Sequence, residues 1–145
     1  WMLCVTAHSF LEDFADEKST RDGASALLKA LGNNKVEVRF LIAFSDSLEA
    51  NDDHHRTKAK MAESRLKELS ERFSNFKYAY FKHPPMHSIL TVDDESIVGP
   101  IFPKVRSKNT PAIHLKNDSA FVKHYLEYFK EEWKEWSEDH EILQD

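Results

Sequence analysis

The distribution of hydrophobic and polar positions predicts strands separated by helices in the first half of the chain. Apolar residues that recur every three or four positions indicate two helices, over 22–31 and over 56–73. Residues 9–22 lack such a period and predict a loop with one helical turn. Apolar runs predict three strands, at 2–7, 36–44 and 77–81. The second run is nearly all apolar after Arg39, which is typical of a strand covered on both faces.

The second half of the chain predicts a hairpin, a last strand and a long helix. The hairpin comprises a strand that starts at His87, a polar turn at 93–96 and a return strand over 97–102. Residues 111–115 predict the last strand, and Asn117 or Asp118 is expected to start the final helix. The apolar face of this helix carries Val122, Tyr125, Phe129, Trp133 and Trp136. Trp136 lies beyond the expected core contact and is our candidate for an exposed partner surface.

This order of elements predicts an α/β fold with a mixed sheet, helices on both faces and a single domain. Strands separated by helices favour parallel pairing, and the hairpin adds antiparallel strands. We expect the domain to span residues 1–139 and a charged tail to follow at 140–145.

The composition narrows the class of protein. The 145 residues fit one domain, and 41% hydrophobic residues suffice for a core. The net charge of −5 argues against nucleic-acid binding through this domain itself, and no apolar run has the roughly 18 residues of a membrane span. The single cysteine, Cys4, allows no internal disulfide and favours a cytoplasmic location. Because the chain begins with Trp1, we expect a domain of a larger protein.

The stretch HSILTVDDESIVGP, residues 87–100, carries the main candidate for catalytic chemistry. His87 and Asp94 have the spacing of the motif H-x-K-x-x-x-x-D, and Gly99 follows at the position of a glycine turn. Together with the order of elements, this stretch resembles the phospholipase D superfamily, above all its single-motif members. The resemblance implies that His87 is the nucleophile and that Asp94 orients it. It also implies that two such histidines, one from each subunit, face each other, and that one attacks phosphorus while the other protonates the leaving group.

The chain departs from that motif at the positions that would hold the phosphate. Ile89 stands where the family has its lysine, Pro100 where it has a serine and Phe102 where it has an asparagine. Removing even one donor to a developing negative charge typically costs about 3 kcal/mol of transition-state stabilisation. The resemblance therefore implies a catalytically degenerate domain with weak or absent hydrolysis.

A narrower resemblance favours a regulatory role. Three segments are similar to the phospholipase D-like C-terminal domain of bacterial helix-turn-helix regulators, which also lacks the lysine: HSILTVDDESIV, PAIHL at 111–115, and the aromatic helix from Phe121 to Trp133. This likeness implies a sensor, regulatory or interaction domain of a larger bacterial protein, in transcription regulation or defence. The likeness to the single-motif members also implies a homodimer in which the two His87 strands face each other across an isologous interface.

The former catalytic cleft is the predicted site for an unidentified small molecule or a partner. Its residues are expected to be His87, Ile89, Pro100, Phe102, His8, Ser9, Ser45 and Asp46. The last four follow predicted strands at their carboxyl ends, where ligands bind in open α/β sheets. Ile89, Pro100 and Phe102 make the cleft apolar, which favours a neutral, aromatic or nucleoside-like ligand over a phosphate.

Two other functions remain open at this point. The chain could be an active phosphodiesterase or nuclease that uses His87 from two subunits, or a purely structural dimerisation module. A metal site is not predicted, because the histidines lack ligand spacing: His54 and His55 are adjacent, and Pro84-Pro85 prevents the helix that would align His83 with His87. No cofactor is predicted either.

Overall fold

The computed structural model of the protein describes residues 1–49 and 52–138, and its central element is a six-stranded mixed sheet. The strands are β1 (Met2–Cys4), β2 (Val38–Ala43), β3 (Phe76–Phe81), β4 (His87–Val92), β5 (Glu95–Pro100) and β6 (Ile113–Lys116). The helices are α1 (His8–Phe14), α2 (Ala26–Leu31), α3 (Asp53–Arg72) and α4 (Ala120–Trp136), with 3₁₀ turns at Ser45–Ser47 and Ser107–Asn109. The predicted α/β class, with a mixed sheet in one compact domain, is confirmed.

The strands lie in the order β3-β2-β1-β4-β5-β6. β1, β2 and β3 are parallel, because helices return the chain to the same end of the sheet between them. β4 pairs antiparallel with β1, and β5 and β6 continue the antiparallel half. One edge of the sheet therefore contains the ends of β1–β3 (Cys4, Ala43 and Phe81) and the start of β4 (His87), and we call it the carboxyl edge. The opposite edge, where β4 ends at Val92, is the amino edge.

Helices cover both faces of the sheet, and each face has its own core. The core under α1, α2 and α3 includes Leu11, Leu28, Phe40, Ile42, Leu66 and Phe76. The core under α4 includes Leu41, Phe81, Ile89, Val98, Phe129 and Trp133. Successive strand residues point to opposite faces, so the neighbours Phe40 and Leu41 enter different cores. This burial on both sides explains the continuous apolar run of β2.

The antiparallel half of the sheet is less well covered. On the face that α1–α3 share, Leu90 pairs with Ile97, and Val92 follows on the same side of β4. Val92 is 60% exposed and Ile97 is 44% exposed, because the three helices lie over the parallel half. β4 and β5 therefore present an exposed apolar surface beside the three helices, and we call it the apolar floor.

The sequence pattern missed α1 and overextended β1. The helix has seven residues, and only Leu11 is buried, so its length is too short to show an amphipathic period. β1 ends at Cys4, before the predicted end at Ala7. Ala7 adopts a left-handed conformation with φ 54°, which turns the chain from β1 into α1.

α4 begins at Ala120, three residues after Asn117 and two after Asp118, the two predicted starts. Ser119 caps the helix, and its hydroxyl accepts the Val122 N–H at 3.2 Å. Asn117 forms different hydrogen bonds, since its side chain accepts the Ser96 hydroxyl at 2.7 Å and donates to the Asp93 carbonyl at 3.0 Å. It therefore ties the β4–β5 hairpin to the segment that leads into α4.

Trp136 is half-buried rather than exposed, in contrast to our prediction. It packs against the core under α4, and its ring lies 6.2 Å from that of His83. The charged tail predicted at 140–145 lies outside the described residues. Across residues 1–49 and 52–138, no helix has the length and apolar character to cross a membrane.

Candidate functional site

His87 is the first residue of β4, and aromatic side chains of α4 enclose its ring. The rings of Tyr125 and Tyr128 stand nearly perpendicular to the imidazole, with centroids at 5.4 and 5.2 Å. The His87 Nδ1 atom is buried and has no hydrogen-bond partner within the described residues. A buried polar atom without a partner typically costs about 1–3 kcal/mol. Aromatic packing, not a hydrogen bond to a carboxylate, thus holds this side of the ring.

A network of polar groups continues from Tyr128 along α4. The Glu132 carboxylate lies 2.6 Å from His83 Nε2, and His83 Nδ1 lies 3.0 Å from the Pro84 carbonyl. Burial by itself lowers the pKa of His83, but the hydrogen bonds to Glu132 and Pro84 outweigh burial and raise it. Burial, followed by the charge and hydrogen bond of Glu132, raises the pKa of Tyr128 to about 12. Both groups therefore stay protonated to higher pH than usual.

Sequence reasoning missed this histidine–aromatic cluster, which consists of His83, His87, Tyr125, Tyr128 and Glu132. In the sequence, the aromatic row of α4 indicates packing on the sheet, apart from Trp136 as a candidate partner surface, and His83 is considered only as a metal ligand. The spacing of Tyr128 and Glu132 places both on one side of a helix, which is the signal that could have found them. Their meeting with β4 depends on tertiary packing.

Asp94 does not lie near His87. The two residues flank opposite ends of β4, and the rise per strand residue separates His87 from Val92 alone by about 17 Å. Asp94 is exposed in the hairpin turn, where its carboxylate accepts a hydrogen bond from Lys116 Nζ at 2.8 Å. That hydrogen bond and the charge of Lys116 lower the pKa of Asp94. The predicted orienting role of Asp94 has no geometric basis within one subunit.

The three residues predicted to make the cleft apolar occupy different environments. Ile89 is 1% exposed and belongs to the core under α4, so it faces no solvent. Pro100 lies directly opposite His87 in the β4–β5 pair. Phe102 is 45% exposed in the loop after β5. Only Pro100 is therefore placed beside His87.

The four residues predicted at the ends of strands do lie at the carboxyl edge, and their polar side chains have internal partners. Ser9 accepts a hydrogen bond from Lys58 at 3.0 Å, and His8 lies 3.3 Å from the carboxylate of Glu12 in the next turn of α1. On the adjacent turn, Ser45 contacts Asp46 at 3.5 Å, and Asp46 also lies 3.9 Å from Arg56. The edge is thus a polar surface whose side chains largely bind each other.

A second histidine–carboxylate pair stands at the start of α3. Asp52 caps the helix by accepting the His55 N–H at 3.3 Å, and its other oxygen lies 2.6 Å from His55 Nδ1. Burial acts to raise the pKa of Asp52, but the hydrogen bonds from His55 hold it below its usual range. No three histidine, cysteine or acidic side chains come together as a possible metal site in the part of the chain that the structure describes.

A large groove opens at the amino edge, away from the predicted cleft. It has a volume of about 1090 Å³ and lies between α1 and α2 on one side and β4 and the start of α4 on the other. Phe10 and Phe14 of α1 form one wall, and Met2, Phe40 and Leu90 form the floor. The small side chains of Ala26 and Ala30 leave space along α2.

The far end of the groove is polar. Asp93 and Asp94 of the hairpin turn line it together with Asn117 and Asp118, which precede α4. Asp94 is thus the member of the predicted site that reaches this groove, whereas His87, Pro100 and Phe102 are not among its lining residues. A smaller depression of about 270 Å³ continues from Leu90 over the exposed apolar floor of β4 and β5. The groove combines apolar walls with oxygen acceptors at one end.

Cys4 has no nucleophilic character in this setting. Burial raises the pKa of its thiol to about 12, so it stays protonated at neutral pH.

Comparisons of the chain with protein-family models, with curated proteins and with solved structures give no match.

Proposed function

We propose that this chain is a non-catalytic, phospholipase D-like regulatory domain that binds a small aromatic molecule in the amino-edge groove. The observation that carries the proposal is the groove itself. Its volume of about 1090 Å³ slightly exceeds the range of ordinary ligand pockets, which hold roughly 300–1,000 Å³ and have mostly apolar walls. A cytoplasmic location within a larger bacterial regulatory protein belongs to the same proposal.

The two ends of the groove define the chemistry of the ligand. Phe10, Phe14 and Phe40 offer aromatic surface to a flat apolar group. Asp93 and Asp118 offer carboxylate oxygens, which accept hydrogen bonds. The groove lining has five acidic side chains against two lysines, Lys123 and Lys130, so its net charge disfavours anions. The ligand should therefore pair an aromatic ring with hydroxyl or amino donors, as a nucleoside does, and should carry no phosphate.

The arrangement around His87 disfavours hydrolysis at this residue. Ile89, at the position of the missing lysine, is buried in the core, so a cation at that position would not face the carboxyl edge. Asp94 is too distant to orient the imidazole, and two tyrosine rings pack against it. A nucleophilic histidine needs an aligned partner and a stabilised phosphorane, and neither is provided by these residues.

A thermal-shift titration tests the proposal with adenosine and adenosine monophosphate as a matched pair. Adenosine should raise the melting temperature in a concentration-dependent way, following RT ln(1 + [L]/Kd), and the monophosphate should do so far less. Indole and 2-naphthol serve as simpler aromatic probes of the same groove.

Two tryptophan substitutions localise the binding. Ala30→Trp places a bulky ring in the groove and should abolish stabilisation by every probe. Met61→Trp, on an exposed position of α3 outside the groove, should leave it unchanged. Binding that survives Ala30→Trp and is lost in His87→Ala would contradict binding in the groove and would place the site at the carboxyl edge.

A further inference from the structure

The acidic side chains that line the amino-edge groove fall into two groups, and the first group has cationic partners outside the lining. Glu37 accepts a hydrogen bond from Arg39 at 2.6 Å, and Asp94 accepts one from Lys116 at 2.8 Å. Arg39 and Lys116 do not line the groove. Their charges therefore compensate these two carboxylates from outside, so Glu37 and Asp94 add little net charge to the space within.

The second group includes Asp93 and Asp118, which lie together at the polar end of the groove. Their carboxylates have no hydrogen-bond or ion-pair partner among the described residues. Asn117 ties the two segments together, because its side chain donates to the Asp93 carbonyl at 3.0 Å and its N–H donates to the Asp94 carbonyl at 2.8 Å. Asp118 follows Asn117 directly. These hydrogen bonds position two carboxylates without using the carboxylate oxygens.

The two lysines of the groove lining offset this negative charge only in part. Lys130 Nζ lies 5.7 Å from the centroid of the Trp1 ring, and Lys123 forms no ion pair with a described carboxylate. Glu127, the third acid of the second group, lies 3.9 Å from His124, which is charged only when protonated. Three carboxylates without a permanent cationic partner thus face two lysines, and the groove keeps a net negative charge.

The opposite part of the groove accepts an aromatic ring. The ring of Phe10 lies 4.9 Å from that of Phe14 and 5.7 Å from that of Phe40, centroid to centroid. Leu90 of the groove floor precedes Asp93 by three residues, which the rise of a strand converts to about 10 Å. A ligand that reaches both parts therefore needs a short alkyl chain between its ring and its polar group.

We infer that the preferred ligand is a cationic arylalkylamine, with its ring against the phenylalanine wall and its ammonium group between the Asp93 and Asp118 carboxylates. This inference rests on the proposed function, since it needs the amino-edge groove to be the binding site, and it narrows the ligand class to a cation. An ammonium group brings three donors and a positive charge to these acceptors. A hydroxyl group brings one donor and no charge, and a carboxylate brings repulsion.

Calorimetric titration of the full 145-residue chain with three indoles tests the charge preference. Tryptamine, tryptophol and indole-3-acetate share one ring, and their side chains are cationic, neutral and anionic at neutral pH. Since each exposed ion pair contributes a factor of about two to five, tryptamine should bind about tenfold more tightly than tryptophol. Indole-3-acetate should bind most weakly. Addition of about 0.5 M NaCl should reduce the preference for tryptamine, because salt screens exposed charges.

Substitutions that change one charge at a time locate the ammonium group. Asp93→Asn and Asp118→Asn should each weaken tryptamine binding about threefold and leave tryptophol binding unchanged. Asp93 has φ 53°, a conformation that asparagine also adopts, so its substitution removes the charge without backbone strain. Lys123→Gln should act in the opposite direction and strengthen tryptamine binding. Asp22→Asn, at an exposed position outside the groove, is the matched control and should change neither affinity.

The outcomes separate this inference from the proposed function. A preference for tryptamine below about threefold, with the binding of both indoles lost in Ala30→Trp, would overturn the cationic ligand and leave the groove as the binding site. An equal loss of tryptamine affinity in Asp22→Asn and Asp118→Asn would also overturn it, because the effect would then come from overall charge. Absence of binding for all three indoles would refute the groove as a site for aromatic ligands, and this inference with it.

Discussion

The two edges of the sheet differ in how their side chains are used. At the carboxyl edge, polar groups bind each other: Glu132 engages His83, and Lys58 engages Ser9. At the amino edge, apolar walls enclose about 1090 Å³ of space that the protein itself does not fill. Polar residues with motif spacing are conspicuous in a sequence, yet here the space for a ligand lies where the sequence shows no motif. Side chains that are already partnered contribute to stability, and unfilled apolar surface contributes to binding.

The largest expected effect is a difference in unfolding free energy between two variants, one that removes a buried ring and one that removes a ring from the groove wall. Trp133→Ala should lower the free energy of unfolding by about 3–5 kcal/mol, because Trp133 is 1% exposed in the core under α4. Phe14→Ala should cost about 1 kcal/mol or less, since this ring is 39% exposed in the groove wall. Urea denaturation of both variants measures the difference. A loss at Phe14 as large as that at Trp133 would show that the groove wall is structural.

The fold was largely predictable because its strands and longest helices carry clear hydrophobic periods. All six strands and the hairpin were expected, and β2 matched the pattern of a doubly covered strand. α1 was missed because seven residues are too few to show a period. The start of α4 was displaced because Asn117 bonds to the hairpin and Ser119 caps the helix, a choice that tertiary contacts decide.

The site was less predictable because motif spacing counts residues and not distance. His87 and Asp94 match a family pattern, but an extended strand carries them to opposite edges of the sheet. The partners of His87 come from α4, more than thirty residues away in sequence. The groove depends on which half of the sheet the helices cover, and local sequence patterns do not contain that information.

The next effect concerns the pair of His83 and Glu132 at the carboxyl edge. Glu132→Gln should destabilise the protein by about 1 kcal/mol at pH 6, because it removes a charged partner from a mostly shielded imidazole. The folded-state pKa of His83 is raised, so this contribution is fully present below the unfolded value of about 6.5. It is lost as pH rises through the folded value.

Unfolding free energies from pH 6 to pH 9 test this sign. The difference between the unsubstituted chain and Glu132→Gln should shrink as pH increases. Glu131→Gln, at an exposed neighbouring position of α4, should show no such trend. A difference that is constant over the range would mean that Glu132 acts through its hydrogen bond with Tyr128 and not through the charge of His83.

A smaller effect tests whether His87 has retained any catalytic role. His87→Phe should raise the free energy of unfolding by about 1 kcal/mol, because it replaces a buried unpartnered Nδ1 with a ring that suits the contacts with Tyr125 and Tyr128. Hydrolysis of bis-p-nitrophenyl phosphate should be at background in both proteins. Turnover in the unsubstituted chain that disappears in this variant would restore the phosphodiesterase hypothesis.

The smallest effect separates Asp94 from His87. Asp94→Asn should shift the NMR signals of Lys116, because the hydrogen bond from its Nζ to Asp94 is weakened. The ring signals of His87 should stay in place, since β4 separates it from the hairpin turn by about 17 Å or more. Asp52→Asn is the positive control for sensitivity, because it should move the ring signals of His55, which lies 2.6 Å from that carboxylate. Displacement of the His87 signals in Asp94→Asn would require that the two residues meet between subunits. Such a contact would place the carboxyl edge of one subunit beside the amino edge of the other across a dimer interface. The two edges would then no longer have separate roles in side-chain pairing and in ligand binding.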